Sequence, residues 1–151
     1  MARFEYRMYT EGAGTFPALF HYDRMALHEA ALRFACDYWV KEGRVYEKSS
    51  CAVEREPSCY VVYVTEAQDE RTMPWGRPAT LGLGGIHVEL REYCEGTADY
   101  RLVETQRFHD PLEALLQLQA DYVTAEGREW QRTSSEVDED RETYVVYAVP
   151  V

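Results

Sequence analysis

Apolar and polar residues alternate along a short segment near the N-terminus. Its two sides differ in character, with Phe4, Tyr6 and Met8 on one and Glu5, Arg7 and Tyr9 on the other. A period of two residues is typical of a strand that is half buried in a sheet. Val88 and Leu90 repeat the apolar side in the second half of the chain. We therefore predict an equivalent strand in each half.

Two later segments carry apolar residues at helical spacing. Their stripes comprise Leu27, Ala31, Phe34 and Tyr38 in the first and Leu112, Leu115, Leu116, Gln119, Tyr122 and Val123 in the second. The helices are predicted to begin at Asp23 and Asp110, and Pro111 and Glu113 strengthen the second start. The stripes predict that Tyr38 and Tyr122 are largely buried.

Glycines and charged residues mark the segments that follow the helices. Gly43 and Gly127 are predicted to end the two helices as left-handed caps. A hairpin is then predicted in each half, with charged turns at 54–58 and 138–142 before the Tyr-Val-Val-Tyr segments 60–63 and 144–147. Tyr100 and Leu102 in the second copy, and Phe16 and Leu19 in the first, suggest one more strand before each helix.

The chain resembles itself at an offset of 84 residues. Residues 3–67 align without gaps on 87–151 with 19 identities in 65 positions. Unrelated segments would share roughly 4, so the offset indicates an internal repeat. Residues 67–86 contain Pro74, Trp75 and a Gly-rich run, interrupt the repeat and are expected to connect its copies.

These patterns predict one α+β domain over residues 1–151. We expect a tandem duplication of a strand-helix-hairpin (β-α-β-β) unit, with copies at 3–66 and 87–150 joined by the connector 67–86. The sheet is expected to be mostly antiparallel, with both helices packed on one face and pseudo-twofold symmetry. If the first strands of the copies pair antiparallel, Glu5 lies opposite Arg91 and Arg7 opposite Glu89.

The layout of two fused strand-helix-strand-strand units is similar to that of the gyrase-inhibitor-like effector-binding domains. That resemblance lies in the architecture and implies a small, often cationic ligand bound between the halves. It carries over no site residue.

Charge changes which partners are plausible. The chain has 27 acidic and 16 basic side chains, a formal net charge of -11. Because such a surface repels phosphate groups, we expect no binding to nucleic acid or to a membrane. A small cationic ligand or a basic protein partner fits the charge better, and an oligomer is compatible with it.

The remaining composition narrows the class of protein further. The N-terminus lacks the basic flank and apolar stretch of a secretory signal, so we expect a cytoplasmic location. Four cysteines and four histidines lack zinc-type spacing, and we expect no metal and no cofactor. Cys51 and Cys59 could face each other across a hairpin, which leaves a disulfide open.

Aromatic and acidic residues recur together in the two copies. The chain contains 12 tyrosines. Tyr9 and Tyr93 occupy equivalent positions near Glu5 and Glu89, and these four are the candidate ligand-binding residues. Aromatic faces beside a carboxylate favour an organic cation. We therefore expect a non-enzymatic domain that binds or senses a small ligand in a groove between the halves.

Two other functions stay open at this point. Exposed strand edges or a tyrosine-rich face would suit a protein-interaction or oligomerisation module. An enzyme would have His21, Asp23, His109 and Asp110 as its acid-base set. A pocket between the halves with stacked tyrosines and a glutamate favours the ligand-binding hypothesis. A flat apolar face favours the interaction module, and convergence of both His-Asp pairs favours the enzyme.

Overall fold

A computed structural model describes residues 1–70, 72–78, 81–97 and 99–151. The first half contains β1 (Ala2–Met8), β2 (Ala18–Met25), α1 (Leu27–Phe34), β3 (Tyr38–Lys41), β4 (Arg44–Arg55) and β5 (Ser58–Glu66). After a single-turn 3₁₀ helix (Leu81–Leu83), the second half contains β6 (Ile86–Glu92), β7 (Leu102–Phe108), α2 (Pro111–Gln119), β8 (Tyr122–Ala125), β9 (Arg128–Asp138) and β10 (Thr143–Pro150). The fold is therefore α+β and rich in strands.

All of these strands belong to one mixed sheet. Its order is β2-β1-β5-β4-β3-β9-β10-β6-β7, and β8 pairs with β9 beside this path. β1 runs parallel to β5, β6 parallel to β10, and β3 parallel to β9. The other pairings are antiparallel. In each half the first and last strands lie side by side, and the helix lies in the connection between them.

Each half has more strands than the predicted strand-helix-hairpin unit. The suggested strand before each helix is present, as β2 with Leu19 and β7 with Leu102, and an unpredicted strand follows each helix (β3 and β8). Tyr38 and Tyr122 lie in the strands that follow, and not on the helices. Tyr38 is partly buried and Tyr122 is 54% exposed, so the prediction that both are largely buried is wrong. Aromatic and β-branched residues such as Tyr38, Trp39 and Val40 favour a strand over a longer helix.

The predicted helix caps at Gly43 and Gly127 are instead hairpin turns. Glu42 and Gly43 have φ of 51° and 76°, and Glu126 and Gly127 have φ of 53° and 69°. Positive φ at both central residues defines the two-residue turn that matches the twist of paired strands. The turns connect β3 to β4 and β8 to β9.

The two helices begin differently. Asp110 caps α2, because its carboxylate accepts a hydrogen bond from the Leu112 amide at 2.9 Å, and Pro111 is the first helical residue. This predicted start is confirmed. Asp23 lies within β2, and α1 begins after Ala26, which offers no side-chain cap. The start predicted at Asp23 is therefore wrong.

Both helices pack on the same side of the sheet and contact each other. Phe4 and Tyr6 from β1 and Val88 and Leu90 from β6 lie in the core beneath them, as the alternation predicts. Tyr6 also stacks on Trp39 with ring centroids 3.7 Å apart. The core therefore lies between one face of the sheet and the two helices, and the helices do not cover the other face.

The ladder between β3 and β9 joins the two halves. It pairs Tyr38 with Glu136, Trp39 with Val137 and Val40 with Asp138. We call this boundary the junction. Next to it, the Asp37 carboxylate accepts a hydrogen bond from the Ser135 amide at 2.9 Å.

The pairing of Glu5 with Arg91 is wrong. Both sides of β1 are occupied, by β2 and β5, and both sides of β6 by β7 and β10. Five strands lie between β1 and β6, which puts them roughly 29 Å apart at the usual strand spacing. Glu5 instead accepts hydrogen bonds from Arg3 and Arg7 on its own strand, at 2.7 and 2.8 Å.

Candidate functional site

The segment after β5 crosses the sheet face opposite the helices. We call residues 67–78 the covering segment; residue 71 lies outside the described part of the chain. The Arg91 guanidinium lies against the face of Trp75, 3.7 Å from the centroid of the Trp75 ring. The indole N–H of Trp75 donates a hydrogen bond to the Asp99 carboxylate at 2.9 Å. Arg141 donates to the Gly76 carbonyl at 3.2 Å. These contacts fix the segment on the second half of the sheet.

A cavity of about 310 Å³ lies between the covering segment and the sheet at the junction. We call it the junction cavity. Its lining comes from both halves and from the covering segment: Tyr38, Val40, Val45, Glu70, Thr72, Met73, Trp75, Tyr93, Tyr100, Thr133, Ser134, Glu136, Asp138 and Tyr147. Its volume is at the lower end of the range for small-molecule sites.

The alternation of β9 points its carboxylates into this cavity. Val137 packs in the core, so its neighbours Glu136 and Asp138 face the opposite side. Thr133 is an extra residue in the β9 ladder, because Ser134 pairs with Tyr147 and Arg132 with Ala148. Its hydroxyl donates to the Tyr147 carbonyl at 3.1 Å. This β-bulge brings both Thr133 and Ser134 to the cavity.

Aromatic rings line one side of the junction cavity. Tyr100 is central to them, with ring centroids 5.4 Å from Tyr93, 5.5 Å from Tyr147 and 6.3 Å from Trp75. Tyr100 and Tyr147 meet edge to face at 72°. Such contacts hold the rings in fixed orientations. The ring faces can therefore receive a ligand with little rearrangement.

Glu136 is the most perturbed acid in the cavity. Its side chain is 7% exposed, and the Tyr147 hydroxyl donates to its Oε2 at 2.8 Å. Burial raises the pKa of Glu136 to about 7, although the bond from Tyr147 opposes the shift. Burial also raises the pKa of Asp138, against the pull of Arg141. Among the described lining residues, none is Lys, Arg or His. Arg141, which lies outside this lining, is 3.6 Å from the Asp138 carboxylate.

Of the four candidate ligand-binding residues, Tyr93 lies in the junction cavity. Glu89 is buried beneath the covering segment and accepts hydrogen bonds from both Arg91 and Arg141. Tyr9 is 40% exposed and stacks on Phe16 at the distant end of the sheet. With Glu5 also far from the junction, the structure does not bring the four together.

The two His-Asp pairs also lie apart. His21 and Asp23 are exposed on β2, with His21 Nε2 3.9 Å from the Asp23 carboxylate. His109 and Asp110 lie between β7 and α2, and Asp110 serves as the helix cap. β2 and β7 are at opposite ends of the sheet order. None of these four residues lines the junction cavity.

The described part of the chain contains neither a cluster of metal ligands nor a disulfide bond. Within it, no three His, Cys, Asp or Glu residues are grouped to hold a metal ion. Cys51 pairs with Val62 and Cys59 with Glu54 across the β4–β5 hairpin, and both are free thiols. Neither described helix has the length and apolar character needed to cross a membrane.

Sequence reasoning missed Glu136, Asp138, Trp75 and Tyr100. The candidates from the sequence are positions that are identical in the two copies, whereas Glu136, Asp138 and Tyr100 differ from their equivalents. Glu136 corresponds to Ala52 at the offset of 84 residues, and Tyr100 corresponds to Phe16. The sequence signal that could have indicated the site is the carboxylate of Glu136, which stands on an alternating strand where the first copy has Ala52. Trp75 lies in the connector, where no repeat partner exists for comparison.

Comparison of the chain with models of known protein families, with curated proteins and with solved structures found no match.

Proposed function

We propose that this protein binds a small organic cation in the junction cavity, without catalysing a reaction on it. The observation that carries the proposal is the lining itself. Five aromatic residues and three carboxylates surround about 310 Å³, and none of the described lining side chains is basic. The site is formed by residues of both halves, at the boundary where the ligand-binding hypothesis expected a groove.

Two forces act together on a cation in such a site. Aromatic faces attract positive charge by about 0.5–2 kcal/mol for each well-placed ring. Glu136 adds Coulomb attraction that burial strengthens, since the interior screens charge less than water. Val40, Val45 and Met73 offer apolar contact for the remainder of the ligand. A neutral ligand of the same shape would gain the apolar contact and lose both charge effects.

The first half lacks the conditions for a second site of this kind. Ala52 stands where the second half has Glu136, and Glu54, which corresponds to Asp138, accepts hydrogen bonds from Arg7 at 2.8 and 3.0 Å. The covering segment is fixed on the second half. We therefore propose that each chain binds one ligand.

We also infer that the two halves descend from a tandem duplication with pseudo-twofold symmetry. β1 and β6, α1 and α2, and β3 and β8 begin 84 residues apart. Ser49 and Thr133, also 84 apart, are both extra residues in their ladders, and their hydroxyls donate to the Tyr63 and Tyr147 carbonyls at 3.1 Å. A bulge is a local irregularity, so its recurrence at the same offset supports common descent. One domain over residues 1–151 and a cytoplasmic location stay predictions.

Calorimetry with a matched pair of probes tests the binding proposal. We expect benzylammonium to bind at least tenfold more tightly than neutral benzyl alcohol. Tyr100→Leu should weaken benzylammonium binding about 3- to 30-fold by removing a ring face. Phe16→Leu, the equivalent change outside the cavity, should leave it unchanged. Equal affinities for the two probes, or equal effects of the two variants, would contradict the proposal.

A further inference from the structure

Glu136 lines the junction cavity, and among the described residues only one of its two carboxylate oxygens has a hydrogen-bond partner. Oε2 accepts the Tyr147 hydroxyl at 2.8 Å, whereas no hydrogen bond to Oε1 comes from the described residues. Oε1 is also not among the fully buried polar atoms of those residues that lack a partner, so it keeps some accessible surface. The residue as a whole is 7% exposed. A hydrogen-bond donor would stabilise the ionised form of this carboxyl group, because burial penalises its charge.

Resting on the proposed function, we infer that the ligand is a protonated amine that keeps at least one N–H, which it donates to Oε1 of Glu136. A quaternary ammonium would bring the charge without the hydrogen bond. Because a buried ion pair offsets its desolvation only when hydrogen bonds accompany it, the donor decides between these two classes of cation. Thr133 and Ser134 also line the cavity, and their hydroxyl oxygens can accept hydrogen bonds from further N–H groups of the ligand.

The charged and titratable groups around Glu136 determine how binding depends on pH. Asp138 on the same strand and Glu70 on the covering segment disfavour its ionisation, whereas Tyr147 on β10 and Arg141 in the following turn favour it. Tyr38 on β3 lies in register with it. Burial dominates, and the pKa of about 7 leaves the carboxyl protonated about half the time in the empty site at neutral pH.

The amine requires the ionised carboxylate, so binding lowers the pKa of Glu136 and expels its proton. Between about pH 5 and 7 the empty protein carries a proton that the complex does not. Affinity for an amine that stays protonated should therefore rise with pH in this interval, by up to tenfold per unit, and level off above pH 7.

The test compares benzylammonium with benzyltrimethylammonium, which share charge and ring but differ in N–H donors. Calorimetry at pH 6.5 in two buffers of different ionisation enthalpy gives both the affinity and the number of protons released. We expect benzylammonium to bind at least tenfold more tightly and to release more than half a proton. Glu136→Gln should abolish the preference and the release. Glu54→Gln, its control on the first half, should retain both.

The outcomes separate this inference from the proposed function. Equal or tighter binding of the quaternary probe would overturn the inference and leave cation binding in place. If neither cation binds more tightly than benzyl alcohol, the proposed function fails and the inference with it. The comparison of probes on the unmodified protein needs no variant, so it stays decisive even if Glu136→Gln does not fold.

Discussion

Glu136 and Ala52 occupy equivalent positions on β9 and β4, opposite Val145 and Val61. The difference between them changes the chemistry of one sheet face. In the first half this position contributes a methyl group. In the second it contributes an acid that burial keeps partly protonated at neutral pH. A free energy cost is therefore stored in the empty protein, and a cationic ligand can remove it.

The raised pKa of Glu136 predicts how stability changes with pH. The native state holds a proton between about pH 4.5 and 7 that the unfolded chain has already lost. The contribution of Glu136 to stability is therefore present below pH 4.5 and is lost as the pH rises to 7. Glu136→Gln should gain stability relative to the unmodified protein over this interval, by about 3 kcal/mol at most. Urea unfolding at pH 5, 6, 7 and 8 measures the difference.

Glu54→Gln serves as the control for this prediction. Glu54 is partly buried, and its hydrogen bonds with Arg7 lower its pKa. Its titration therefore lies below the interval, and the difference in stability between the control and the unmodified protein should be the same at all four pH values. Parallel stability curves for Glu136→Gln and the unmodified protein would show that Glu136 is ionised throughout.

At the scale of elements, local sequence patterns predicted whether a segment is a helix or a strand better than they predicted where it begins and ends. The alternation of β1, the hairpin of β4 and β5 and the cap at Asp110 follow from neighbouring residues, and the structure contains all three. The helices are shorter than predicted because a Glu-Gly pair suits a hairpin turn as well as a helix end. The choice depends on whether Tyr38 to Lys41 find a strand to pair with, which local sequence does not reveal.

The two helix starts give a prediction at this scale. Asp110→Ala should cost about 1 kcal/mol, because it removes the acceptor for the Leu112 amide. Asp23→Ala is the matched control. Asp23 lies in β2 and pairs with Arg3 at an exposed position, so its loss should cost about 0.5 kcal/mol or less. Chemical denaturation of both variants at pH 7 compares them. Equal costs would show that the Asp110 bond contributes nothing to α2.

At the scale of the whole molecule, the order of the strands in the sheet could not be predicted from the sequence. The repeat indicated two similar halves, but not which strands meet at their boundary. A symmetric pairing of the first strands of the copies would place Glu5 opposite Arg91. In the structure, β3 and β9 form the ladder at the junction instead. Such pairing depends on residues about 100 positions apart. The junction cavity was unpredictable for the same reason, since it needs the covering segment to cross a boundary whose location was unknown.

Glu139 connects the halves on the helix side of the junction. It lies in the turn after β9 and accepts hydrogen bonds from Trp39 Nε1 at 3.1 Å, from Arg33 at 3.0 Å and from the Tyr22 hydroxyl. Lys41 is 3.5 Å away. Burial acts to raise the pKa of Glu139, but Arg33 and these hydrogen bonds outweigh it and lower the pKa. A carboxylate of the second half thus neutralises a buried guanidinium of the first.

Removing Glu139 should therefore destabilise the whole domain. Glu139→Ala leaves Arg33, which is 5% exposed, without its main buried counter-charge, and we expect a cost of about 3–5 kcal/mol. The double variant Arg33→Leu with Glu139→Leu removes both charges and should cost less than Glu139→Ala alone. Arg55→Ala, at the equivalent exposed position of the first half, is the control and should cost little. Urea unfolding at pH 7 measures all three. A cost below about 1 kcal/mol for Glu139→Ala would mean that the ladder and the core hold the halves together without this ion pair.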